Sequence, residues 1–257
     1  MTDAANSTAT LSFLSDLSRY GLLTDFLRAQ SQQEILSEII LSESEKTKSI
    51  QDFARHHNIL DSEGLNQYRL ASCLTDDALS DLLLVSGKEN KYIQSHISDS
   101  EISHFFLSNL NCFTYCSYYL LSFTLRSYAI HAYLRLKEGE SFYKVAHIPS
   151  SGSSDLVRFA VFQDVNLESI SPRQLTRYCS HNYLGRLIKP FFLEHEWHIF
   201  QLFHFTDAVL DAQTQSKIRN MIYHDTVSKR VNEKLGLLRS LFLSHNGDPT
   251  RRWLYHE

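Results

Sequence analysis

No stretch of this chain stays apolar for the roughly 20 residues that a membrane-spanning helix requires. Its opening, Met-Thr-Asp-Ala-Ala-Asn, has neither the positive region nor the apolar core of a secretory signal. Clustered positive charge is missing too: 25 Lys and Arg stand against 29 Asp and Glu, a net charge of −4 with no basic run. Nucleic acid is held by neutralising phosphates, so it is not an expected partner. Cysteine is scarce, and Cys73, Cys112, Cys116 and Cys179 follow neither a disulfide framework nor a zinc pattern. Cys112 and Cys116 lie in a stretch that reads as strand, with no second such pair, so buried free thiols are expected. There is no Gly-rich phosphate loop, no Ser-His-Asp or Cys-His pattern, and no repeat or low-complexity tract. The 13 histidines are scattered; His195-x-x-His198, read on a strand, would point its rings to opposite faces, which argues against a metal pair. Neither metal nor cofactor is expected.

A hydrophobic content of 43% and a charged content of 21% describe a globular protein, and 257 residues suffice for one large or two modest domains. From Leu11 to Leu110 the apolar residues recur at helical spacing. Ser12–Tyr20 carries Phe13, Leu14 and Leu17 and closes at Gly21. Thr24–Lys48 reads as one longer helix with Leu27, Ile35, Leu36, Ile39 and Ile40 on a shared face. Asp61 and Thr75 open two more, Asp76 and Asp77 suiting the positive end of the second. Ser98-Asp-Ser-Glu101 has capping-box spacing before Ile102, Phe105 and Phe106.

From Phe113 the composition turns to Tyr, Phe, Thr and Ile, which favour strands. Phe113–Phe123, Leu156–Phe162 and Glu196–Phe205 are the strand candidates. Between the first two, Ala129, Ala132, Tyr133 and Leu136 share a helix face that ends at Lys137 and Gly139; a short second helix with Phe142, Val145 and Ala146 follows. After Thr206, Ile218, Ile222, Val231 and Leu235 fit a long helix, and residues 245–257 read as a mobile tail that Trp253 could pin. The fold class is α+β, with a helical part over 1–110, an α+β lobe over 111–206, and a C-terminal helix and tail over 207–257.

The wording of the lobe resembles the parvulin-type (PpiC/SurA-like) peptidyl-prolyl cis-trans isomerases. Ala129 through Ala146 is similar to that family's Ala, two leucine-like positions, Gly-x-x-Phe and Ala. Cys116-Ser-Tyr-Tyr-Leu-Leu-Ser-Phe123 resembles its first strand, Ile170-Ser-Pro172 its Met-Val-Pro turn, Gly185-Arg-Leu-Ile-Lys-Pro190 its Gly-x-Ile-x-x-Pro turn, and Trp197–Leu202 its Tyr-His-Ile-Ile-x-Leu strand. These five matches keep the family's order over residues 110–205. The helical stretch before them is similar to the N-terminal chaperone domain of exported parvulins, and the resemblance implies a C-terminal helix folded back on it. Relatives with that layout are typically exported; the opening of this chain leads to a cytoplasmic expectation instead.

Prolyl isomerisation uses no cofactor; the catalyst binds the twisted amide better than the planar one. The family does this with two histidines, a Cys or Asp, and a Met–Phe pocket. Carried onto this chain, only His198 is retained outright. The first histidine falls on Tyr118, which could donate a hydrogen bond in its place but as a strand tyrosine is more often core. The Cys or Asp position, two after Ser150, falls on Gly152. The pocket methionine falls on Ile170, the phenylalanine on Gln174 or, with a shift of one, on Leu175. Ser153–Phe159 keeps Asp155, Leu156 and Phe159 of the glycine-rich segment and loses its glycines. His198 and Tyr118 are therefore the catalytic candidates, and Phe159, Ile170, Leu175 and Ser150 the substrate-binding ones, with a groove expected between Tyr118, Phe159, Ile170 and His198.

Three functions fit. The first is a foldase-type peptidyl-prolyl isomerase with impaired catalysis that binds polypeptide segments. The second is a non-catalytic chaperone or peptide-maturation partner holding unfolded or leader-type polypeptide. The third is the same fold recruited to unrelated small-molecule chemistry.

Overall fold

The computed structural model describes residues 12–146 and 158–246, with side chains described as far as residue 241. Ser150, Gly152, Asp155, Leu156, His147 and the tail with Trp253 lie outside the described residues. The chain divides into two compact units, residues 1–102 with 216–257, and residues 103–215. The expected junctions at 110/111 and 206/207 fall eight and nine residues inside the second unit.

The first unit is helical. It comprises a helix over residues 12–19 (α1), Leu23–Leu36 (α2), Glu43–His56 (α3), Ser62–Ala71 (α4), Asp76–His96 (α5) and the start of Asp99–Ser108 (α6). The long C-terminal helix Ala212–Asn246 (α9) returns to it. Local chemistry sets most of the starts. Asp61 accepts from Gly64 N–H and Thr75 from Ala78 N–H. Ser98 and Glu101 exchange the reciprocal bonds of a capping box.

The single helix expected over Thr24–Lys48 is two. The break at residues 37–42 is followed by a second capping box, in which Ser42 N–H donates to Glu45 Oε2 at 2.6 Å and Glu45 N–H to Ser42 Oγ at 3.4 Å. Lys91 also binds Glu45, and these bonds hold its carboxyl at a pKa of about 2. The apolar period running through Ile39 and Ile40 masked this Ser-x-x-Glu start, and Ile40 is in fact 82% exposed. Helices α3 and α5 approach closely at Gly87: the Ser49 hydroxyl donates to Leu83 O (2.7 Å) and accepts from Gly87 N–H (3.1 Å). A Cβ on Gly87 would lie 2.9 Å from that of Ser49, so glycine is required there. Tyr223, Gln32 and Lys234 tie α9 and α2 into the bundle through Glu89 and Glu34.

The second unit is built on a four-stranded antiparallel sheet: Tyr115–Phe123 (β1), Arg158–Asn166 (β2), Phe191–Leu193 (β3) and Glu196–Thr206 (β4), in the order β2-β1-β4-β3. Helices Arg126–Lys137 (α7) and Phe142–Ala146 (α8) pack on one face through Ala129, Ala132, Leu136, Phe142 and Val145 against Leu121, Phe123 and Ile199. Gly139, at φ +96°, ends α7 as its position implied. The other face is covered by the segment between β2 and β3, whose Ile170, Leu175 and Cys179 pack on Cys116, Tyr118, Phe200 and Leu202. That segment contains a cis Ser171–Pro172 bond and a 3₁₀ stretch over Arg173–Tyr178. His195 is not on a strand; with Glu194 it forms the two-residue β3–β4 turn, both at positive φ. The cysteines differ from expectation in part: Cys116 and Cys179 are buried, but Cys73 is exposed and Cys112, at the end of the 3₁₀ helix Leu110–Cys112, is half-buried.

Candidate functional site

The strand periodicity of two sorts the candidate residues onto the two faces of the sheet. Tyr118 lies opposite Leu202, Leu120 opposite Phe200, and Ser122 opposite His198. Tyr118 and His198 therefore share a face but not a row: Tyr118 is four residues from His198's partner, about 13 Å along the strand, with the Leu120–Phe200 row between.

Tyr118 is 1% exposed. Its ring stacks on Phe162 at 4.6 Å and meets Phe200 at 5.0 Å. Burial, with smaller contributions from the Cys116 and Cys179 thiols, raises its pKa above the ordinary phenol value. The shared hydrogen bond with Cys116 and burial likewise push the Cys179 thiol up. Ile170 (2% exposed) and Leu175 (1%) complete this packing. The shifted alignment of the pocket position is the one that points inward, since Gln174 is exposed.

His198 is buried, and both its nitrogens are engaged. Nε2 lies 3.1 Å from Leu193 O and must donate, because a carbonyl only accepts. In the neutral ring that leaves Nδ1 to accept from the Ser122 hydroxyl at 2.9 Å. Ser122 was not among the expected site residues. It enters through cross-strand register alone, which no local pattern announces.

Phe159 does not join the groove expected between Tyr118, Ile170 and His198. It pairs with Leu121, an odd number of residues from Tyr118, and so stands on the opposite face. There it packs with Tyr119 and Phe142 at 6.2 and 6.3 Å beside a hollow of about 330 Å³. Tyr143, Ser141, Glu140 and Gln201 supply its polar edge. Glu140 is ion-paired with Arg135, which lowers its pKa. Among the described residues no group of three His, Cys, Asp or Glu side chains gathers as a metal ion needs, and no helix is long and apolar enough to cross a membrane.

No family model and no curated protein matches the chain. Solved structures do. The structural neighbours are PrsA- and SurA-like proteins. Peptidylprolyl isomerase PrsA of Bacillus anthracis is similar at 13% identity and a TM-score of 0.38, over 83% of this chain and 97% of that one. PrsA of Bacillus cereus is similar at 16% identity and a TM-score of 0.39, over 91% and 86%. A structure from work on two SurA-like chaperones of Campylobacter jejuni is similar at 12% identity and a TM-score of 0.26, over 88% and 86%.

Proposed function

We propose that this chain is a divergent parvulin-like protein that binds unfolded or leader-type polypeptide in a foldase-type role and has lost effective prolyl isomerisation. One observation carries the loss: the two groups at the family's histidine positions are both spent on the fold. Twisting an amide requires polar groups that meet its carbonyl and nitrogen. Tyr118 is sealed between Phe162 and Phe200, and His198 has given its ring nitrogens to Ser122 and Leu193.

Binding is supported by the surface that remains. The aromatic hollow at Tyr119, Phe142 and Phe159 is open to an apolar side chain, and the helical unit exposes Leu22, Phe26 and Ile40. Each square ångström of apolar area withdrawn from water contributes roughly 25 cal/mol, and neither surface asks for a proline ring. Two weak sites on one chain also reinforce each other on a long client.

A protease-coupled assay with a proline test peptide at micromolar protein should show no acceleration, while a peptide array shows binding to Leu-, Phe- and Ile-rich segments with or without proline. Tyr143→Ala, at the rim of the hollow, should weaken that binding. Turnover that His198→Ala abolishes would overturn the reading. An array without any bound peptide would favour small-molecule chemistry instead.

A further inference from the structure

The hollow under α7 and α8 has a floor set by strand pairing. Leu187 bridges to Gln201, and Gln201 lies opposite Tyr119 on β1, so the three side chains form one row on one face of the sheet. Phe142 stacks on Tyr119 with centroids 4.9 Å apart, and Leu136 lines the same space. The rings of Tyr119, Phe142 and Phe159 lie within 25° of parallel to one another. Flat faces so arranged favour another flat ring over a branched aliphatic chain.

The polar edge has a definite sense. Gln201 Nε2 lies 2.9 Å from Gly185 O and must donate, because a carbonyl only accepts; this fixes the amide and leaves Oε1 uncommitted. Glu140 accepts from Arg135 Nε and Nη2, and that pairing keeps it ionised near neutral pH, so it too can only accept. The hydroxyls of Tyr119, Ser141 and Tyr143 take either role, and among the described residues no Lys, Arg or His lines the hollow. Acceptors therefore outnumber fixed donors, of which the second N–H of the Gln201 amide is the one among these side chains.

We propose that the hollow is a subsite for one aromatic side chain carrying its own hydrogen-bond donor, the indole of tryptophan or the phenol of tyrosine, which donates to Gln201 Oε1. The inference rests on the polypeptide-binding reading and narrows it to a preference at one position of the bound segment. Leucine or phenylalanine would fill the space but draw Gln201 Oε1 away from water without a partner. A carboxylate would meet Glu140 and no cation in the lining, and a lysine or arginine would bring a second positive charge beside Arg135.

The test uses the full chain and begins without any variant. Indole should shift the methyl resonances of Leu136 and Leu187, which line the hollow, and should bind about fivefold more tightly than 1-methylindole, which keeps the ring and lacks the N–H. In an array of peptides identical except at one position, tryptophan and tyrosine should exceed phenylalanine and leucine by a similar factor. Gln201→Met keeps the length of the side chain without the acceptor and should bring indole down to the level of 1-methylindole. Circular dichroism checks its fold; should it not fold, the ligand pair and the array still decide. Equal binding of indole and 1-methylindole, or a preference that survives in folded Gln201→Met, would overturn the proposal. Peptides that bind equally with tryptophan and leucine would overturn it while leaving the polypeptide-binding reading in place. Indole bound without any peptide would overturn it in favour of a free aromatic molecule, and the polypeptide-binding reading would fall with it.

Discussion

The two faces of the lobe's sheet use aromatic residues in opposite ways. On the face of Tyr118, Phe162 and Phe200, the rings close on one another, and Ile170 and Leu175 fill what is left. On the face of Tyr119, Phe142 and Phe159 the rings also stack, but they border a hollow of about 330 Å³ edged by Glu140, Ser141 and Gln201. The parvulin resemblance directs attention to the first face, where its catalytic positions lie. Those positions are filled with packing. Tyr118 and Leu175 are core on that face, and the opposite face keeps the accessible concavity.

The largest test of that contrast is truncation on each face. Phe200→Ala should cost about 3–5 kcal/mol in urea unfolding, because it opens a cavity in a dry core. Phe159→Ala removes a half-buried ring already next to open space, and about 1–2 kcal/mol is expected. Equal losses would mean that the faces do not differ as packing.

Ser122→Ala probes the same dry face at its polar end. It strips His198 Nδ1 of its buried donor, and a loss of about 1–3 kcal/mol is expected. No measurable change would indicate that water reaches His198.

The smallest effect concerns alkaline pH. Burial raises the Tyr118 pKa in the folded state above its unfolded value near 10. Between those values the folded protein retains a proton that the unfolded chain has lost, so stability falls as pH rises past about 10. Tyr118→Phe removes this term. Near neutrality the variant should match the parent within about 1 kcal/mol, and above pH 10 its melting temperature should decline less steeply. Parallel decline of both proteins would show that the phenol is solvated.

Much of the secondary structure was legible because its causes are local. Asp61, Thr75 and the Ser98–Glu101 box mark helix starts within four residues of sequence, and Gly139 marks a stop. The break before Ser42 was equally local, yet the apolar period running through Ile39 and Ile40 hid it. The site was less legible. That Tyr118 would be sealed depends on Phe162 and Phe200, which strand pairing brings from 44 and 82 positions away. That Phe159 would face the other way depends on its pairing with Leu121.

By itself, then, the sequence determined the α+β class, the helical part before the lobe, the strands β1 and β4, and most of the caps, since each follows from propensity and hydrogen bonding over a few residues. Only the tertiary structure decided which face each aromatic ring occupies, that Ser122 rather than Tyr118 meets His198, and that the concavity lies behind the expected site. A shift of one residue in strand pairing moves a side chain through the sheet, and nothing within a few residues of sequence records that choice.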